Sequence, residues 1–247
     1  MGTQTYEPTA PYNKQIKEIS KYPRQREFGF RIVGMGVHQP SGEYEYWDKN
    51  YGVSLTTIDE VTNALSTFFR CNDNEAVVAN TKKKRGGNPQ YFDNTLSVVI
   101  DKLNQIKDWF EVDNPSLAFY ASSILIVYEG DYIQGDDEKI MGSNNEEPVV
   151  KIIDFAHVCR QTGTDIGYIT GVRNLINIVE ELRSKHSKSC MERENRAFDV
   201  CNNDNTFIGL ARYFLEYIYI VSNQRTTSNY ESIGIPISSQ PIVETQH

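Results

Sequence analysis

Residues 149–157 read Val149-Val150-Lys151-Ile152-Ile153-Asp154-Phe155-Ala156-His157, an apolar, β-branched run that ends on a carboxylate and an aromatic ring. Val149 to Phe155 has the make-up of a buried strand, and Leu117 to Tyr128 upstream is a second near-continuous run of aromatic and β-branched residues. Together they predict two strands buried on both faces. A carboxylate at the exit of such a strand has two readings. It caps the turn that follows the strand, or it holds magnesium, since phosphoryl transfer needs a divalent ion across nucleotide phosphates and a strand-terminal Asp fixed by a packed Phe presents one. The heptapeptide Lys151–His157 by itself leaves both open.

Working outward, Ser122 and Ser123 put two hydroxyls into the otherwise apolar run Ala121–Tyr128. A buried hydroxyl needs a partner, so each either bonds the backbone of a neighbouring strand or faces a cavity that takes phosphate or a metal-bound water. Between the two runs, Glu129 to Pro148 carries seven carboxylates and one lysine, the composition of a mobile surface loop. Downstream, Ile169, Val172, Leu175, Ile176, Val179 and Leu182 repeat with helical period over Tyr168 to Lys185. A further helix is predicted over Phe207 to Val221. From Ser222 the chain is rich in Ser, Thr, Gln and Pro, the mark of a disordered or loosely packed tail.

Upstream, Leu96, Val99, Ile100, Leu103, Ile106 and Phe110 define a long amphipathic helix that Pro115 separates from the strands. Thr57 with Glu60 is a capping box, and Ile58, Val61, Leu65, Phe68 and Phe69 continue it as a helix to about Arg70. The polar stretch Asn72 to Tyr91, with Lys82-Lys83-Lys84-Arg85-Gly86-Gly87, reads as a loop; its basic patch is solvated or import-like and is assigned no site. Phe28 to His38 and Gly42 to Lys49 read as two strands of a hairpin around Gln39-Pro40-Ser41-Gly42. This mixed order of elements gives an α+β fold.

Charge adds a contrast. The 247 residues carry a formal net charge of -8 with pI near 5.1. Such a balance argues against a surface devoted to nucleic acid or anionic membrane, and no nucleic-acid partner is expected. Yet Asn13 to Arg31 holds six cations against two carboxylates. Within it Lys14, Lys17 and Lys21 share one face of a helix that Pro23 should stop. That face is either solvated or the clamp for a polyphosphorylated ligand. No apolar stretch is long enough to span a membrane, and no signal core or myristoylation sequence opens the chain, so no membrane partner is expected. Four cysteines without C-x-x-C spacing fit reduced, intracellular thiols, and His186 with Cys190 makes no regular metal set.

Several of these pieces occur together and in order: Met1-Gly2-Thr3, Gly29-Phe30-Arg31-Ile32-Val33-Gly34-Met35, Lys49-Asn50-Tyr51-Gly52, Ser122-Ser123-Ile124-Leu125, Ile153-Asp154-Phe155-Ala156-His157, and Asp165-Ile166-Gly167-Tyr168 leading into Asn174-Leu175-Ile176. In them the chain resembles the inositol polyphosphate kinase family, most closely its inositol hexakisphosphate kinase branch, over residues 1 to about 185. The resemblance implies the larger, C-terminal lobe of a fold related to protein kinases and ATP-grasp enzymes over 1–185. An extra helical region over 186–221 and the tail 222–247 would follow it. It implies ATP as co-substrate, Mg2+ as cofactor, an inositol polyphosphate, inositol hexakisphosphate above all, as acceptor, a monomer, and a place in cytoplasm or nucleus. By the same resemblance Asp154 is the magnesium ligand, Ser122 and Ser123 border the ATP phosphates, and Lys14, Lys17, Lys21 and His157 bind the substrate.

The sequence also departs from the pattern. Of the family's Pro-x-x-x-Asp-x-Lys-x-Gly hallmark only the last two positions, Met1 and Gly2, are present, and Val53 stands where Arg usually follows Lys-x-Tyr-Gly. The catalytic Asp and Lys are therefore expected ahead of Met1, along with the smaller nucleotide lobe, and no catalytic residue is assigned within the chain. Two functions follow as expectations: an ATP-dependent inositol polyphosphate kinase whose chain is given from an internal methionine, or a remnant that binds inositol phosphate and transfers nothing.

Overall fold

The apolar period over 96–110 and the one over 168–182 build the centre of the molecule. In the computed structural model, which describes residues 1–39, 43–70, 89–129 and 147–203, Leu96, Val99, Ile100, Leu103 and Phe110 are buried together with Tyr168, Ile169, Val172, Leu175, Ile176, Val179 and Leu182. The first set lies along α5 (Pro89–Asp108) and the π-helical turn Trp109–Asp113 that closes it, the second along α6 (Ile166–Asn203). The Phe110 and Tyr168 rings stack at 4.1 Å, with Phe119 edge-on to both. An ion pair locks the two helices, the Arg183 guanidinium gripping both oxygens of Asp93 at 2.7 and 2.8 Å. That fork-to-fork geometry holds the Asp93 carboxyl below its usual range.

The remaining helices pack around this pair. α1 (Tyr12–Lys21) buries none of its residues and ends before Pro23, whereas α2 (Gln25–Phe28) drives Phe28 into the core. Gly29 then takes the left-handed conformation, φ 71°, that caps α2. Its backbone lies so close to Gly171 on α6 that a Cβ on either would fall 2.2–2.6 Å from the other's backbone atoms. α3 (Lys49–Ser54) is capped by Asp48, whose carboxylate accepts from the N–H groups of Asn50 and Tyr51. α4 (Ile58–Phe68) opens on the capping box Thr57/Glu60, with both reciprocal hydrogen bonds formed.

Three antiparallel two-stranded ladders complete the described residues. β1 (Met35–His38) pairs β2 (Tyr44–Trp47), β3 (Leu117–Phe119) pairs β6 (Val158–Arg160), and β4 (Ser123–Val127) pairs β5 (Val149–Ile153). Four expectations are corrected here. The predicted strand Phe28–His38 is a strand only from Met35, because Phe28 closes a helix and Gly29 turns the chain. Its partner ends at Trp47, because Asp48 starts α3. Leu117–Tyr128 is two strands in two sheets, broken where Ala121 adopts φ 58°. Nor are β4 and β5 buried on both faces. Ile124, Ile126, Val150 and Ile152 pack inward, while Leu125, Val127, Val149 and Ile153 face out. β6 was not foreseen, since three residues carry no period.

The chain divides into two units, Met1–Met191 and Glu192–His247. The second is described only as the end of α6. The expected acidic insert, apart from its ends, the basic patch 82–85, the turn 40–42, the helix 207–221 and the tail from 222 lie outside the described residues. No described helix is long and apolar enough to cross a membrane.

Candidate functional site

The β4–β5 ladder sets one face against the core and leaves the other open. Its register places Ser123 opposite Ile153, Leu125 opposite Lys151 and Val127 opposite Val149, so these six side chains form the outer floor. Leu125 and Val127 are 42% and 51% exposed, which leaves an apolar surface with a single cation, Lys151. A cleft of about 840 Å³ runs along β4 toward β1, bordered by Ser123, Ile153, Arg31, Val37 and Tyr46 among others. Apolar residues such as Val37, Ile124 and Leu125 line it together with the charged Arg31 and Glu129, the mixture of a small-molecule site.

Asp154 follows the floor directly. It is exposed and holds φ 64°, a left-handed conformation that Asp tolerates better than most residues, so the chain turns sharply at the end of β5 and the carboxylate stands clear. The expected locking of this turn by a packed Phe is corrected: Phe155 is 58% exposed, and its ring contact among the described residues is an edge-type pairing with Phe119 at 6.1 Å. What fixes the loop is its far end, where the His157 carbonyl accepts the Tyr120 N–H at 2.9 Å and the chain enters β6.

The two serines separate. Ser123 borders the cleft, partly exposed. Ser122 is buried beside Tyr168, and among the described residues neither hydroxyl completes a hydrogen bond. Burial pushes the Tyr168 hydroxyl far above its ordinary range, with the Ser122 hydroxyl pulling the other way. The Ser122 carbonyl accepts from the Met1 ammonium at 2.7 Å. That amine, enclosed by the fold and repelled by Arg31, is lowered from 8.0 to about 6.

Lys14, Lys17 and Lys21 share an exposed face of α1 as their spacing requires. Lys21 bonds Glu18 at 2.6 Å, while the side chains of Lys14 and Lys17 make no hydrogen bond or ion pair among the described residues. None of the three is hydrogen-bonded or ion-paired to Asp154 or His157. The link between α1 and the Asp154 loop is Glu7, five residues before α1, whose carboxylate lies 3.2 Å from His157 Nδ1. Glu7 also faces Cys159, whose thiol is pushed up by burial and then by that carboxylate. Sequence reading passed over Glu7, because a carboxylate in a polar stretch has no period and no motif.

A divalent cation here would find one carboxylate. Among the described residues no three His, Cys, Asp or Glu side chains gather as a metal site. One exposed carboxylate fits a hard cation that takes its remaining ligands from phosphates and water, as magnesium does at nucleotide sites, and does not fit a closed structural metal.

The profile of the family described as inositol polyphosphate kinase matches residues 1–180. Human inositol polyphosphate multikinase is 36% identical over 134 residues, covering 53% of this chain and 27% of that protein. Human inositol hexakisphosphate kinase 2 is 28% identical over 217 residues, covering 74% and 46%. The chain thus spans between about a quarter and a half of the length of these relatives. Among solved structures, an inositol phosphate multikinase from S. cerevisiae in complex with ADP and Mn2+ superposes with a TM-score of 0.53 at 19% identity, over 73% of this chain and 75% of that one. A second inositol phosphate multikinase structure gives 0.52 at 23%. At such identities the likeness establishes the fold.

Proposed function

The chain belongs to the inositol polyphosphate kinase family, and from that premise we propose that it carries the acceptor and metal side of an ATP-dependent kinase acting on an inositol polyphosphate, with inositol hexakisphosphate the acceptor. The observation that carries this reading is Asp154, exposed in a left-handed turn where the apolar β4–β5 floor ends. The floor offers a largely apolar surface, with Lys151 its single cation, to a nucleotide base, and Asp154 offers a negative charge at its end. Bound there with the nucleotide, Mg2+ supplies positive charge across the phosphates. Asp154 would hold it, Ser123 would border the phosphates, and the lysines of α1 with His157 would take the acceptor. Two polyanions must be brought together, and the cations of α1 supply the compensation that water would otherwise provide. The ADP and Mn2+ of the yeast neighbour support this chemistry for the fold.

The test is transfer from ATP to inositol hexakisphosphate in Mg2+, compared with Asp154→Asn. The substitution should cost at least about a hundredfold in rate, as removal of one charge-stabilising group commonly does. Equal rates would remove Asp154 from the mechanism. Binding of both ligands with no transfer in the parent chain would favour the second reading, an inositol phosphate-binding protein.

A further inference from the structure

The strap before α1 reaches across the molecule to the loop that carries Asp154. Its start is pinned, the Thr3 N–H donating to the Gly167 carbonyl at 3.2 Å and Gln25 Nε2 to the Gly2 carbonyl at 2.6 Å. Its middle turns at Glu7-Pro8-Thr9-Ala10, where the Ala10 N–H donates to the Glu7 carbonyl at 2.9 Å and Pro8 presets the second position. That turn delivers the Glu7 carboxylate to His157 Nδ1, at 3.2 Å, and to the Cys159 thiol two residues on. The His157 backbone is fixed independently by Tyr120, so only the direction of the imidazole is left to set.

We propose that Glu7 is a positioning residue for His157: by accepting the hydrogen of Nδ1 it fixes the tautomer and aims Nε2, left as an acceptor, at a protonated phosphate oxygen of the bound ligand. The inference rests on the reading of His157 as ligand-facing. A carboxylate on one ring nitrogen determines what the other can do, which is how histidines at metal and catalytic centres are oriented. Stability does not explain the pair. His157 is 48% and Glu7 33% exposed, where an ion pair contributes little. A carboxylate near a polyanion is also unfavourable unless a donor engages it, and here the imidazole does. The pair moreover joins the strap to the Asp154 loop, so the approach to the lysine helix and the metal carboxylate are tied at one point.

Nitrogen NMR of the ¹⁵N-labelled 247-residue chain reads the His157 tautomer without any ligand, and His157→Ala identifies its signals. Calorimetry with inositol hexakisphosphate reads affinity in the same proteins. The parent should hold the Nδ1–H form. Glu7→Ala should move the ring toward the Nε2–H form and weaken the ligand about tenfold, with the unfolding midpoint unchanged. Glu7→Gln, whose amide oxygen still accepts from Nδ1, should restore the tautomer and most of the affinity. An unchanged tautomer in Glu7→Ala overturns the proposal, and so does an unchanged affinity where His157→Ala weakens binding. Should His157→Ala bind as tightly as the parent, His157 is not ligand-facing, and the proposal falls with that reading.

Discussion

Asp154 is left-handed, and Asn is at ease in that conformation, so Asp154→Asn alters charge at the end of β5 while leaving the turn intact. Lys14, Lys17 and Lys21 can be neutralised in the same spirit, since α1 buries nothing and glutamine keeps its helix. An exposed ion pair contributes up to about 1 kcal/mol, so changing all three to Gln should weaken inositol hexakisphosphate by about a hundredfold and flatten its dependence on salt. Equal salt slopes in calorimetry would show the lysines to be solvated. A third prediction belongs to Met1. Its amine is lowered to about 6 in the fold against 8.0 in the open chain, so the folded state binds fewer protons between those values. Stability from this source is complete above pH 8 and is lost as pH falls through 6, by about 3 kcal/mol in all. A polypeptide with a free Met1 amine should show this slope in urea denaturation, and its N-acetylated form should lack it. Matching slopes would contradict the enclosure of that amine.

At the scale of elements, the meeting of α2 with α6 depends on having no side chain at Gly29 or Gly171. In Gly171→Ala the new methyl carbon would lie 2.2 Å from the Gly29 carbonyl oxygen, backbone against backbone, which neither element can relieve by a rotamer change. Overpacking of this kind costs about 3 kcal/mol, and thermal unfolding should show a fall of several degrees. An unchanged midpoint would mean that the two elements do not touch. Long periods were legible in advance: Leu96 to Phe110 and Ile169 to Leu182 each repeat over four turns, and the Thr57/Glu60 box announces α4 by its own chemistry. Short ladders were not. Three residues of β6 hold no period, and the break at Ala121 depends on a left-handed residue that its identity does not reveal. For the same reason Asp154 and His157 could be singled out by their place at a strand exit, while Glu7 could be found only by what it touches.

For the whole molecule, a net charge of -8 sits beside a basic helix and an apolar floor, so the surface sorts its ligands by region. On the proposed reading the α1 face takes a compact, highly charged sugar phosphate. The family match over residues 1–180 establishes the family, and the likeness to an ADP- and Mn2+-bound multikinase establishes the fold. The central claim is that one carboxylate and one lysine face hold opposite ends of the same reaction. A crystal structure of the chain with ADP, Mn2+ and inositol hexakisphosphate tests it most directly. The account predicts manganese on the Asp154 carboxylate, the base over Leu125 and Val127, and inositol phosphates within reach of Lys14, Lys17 and His157. Manganese bound elsewhere, with those lysines turned to solvent, would contradict it.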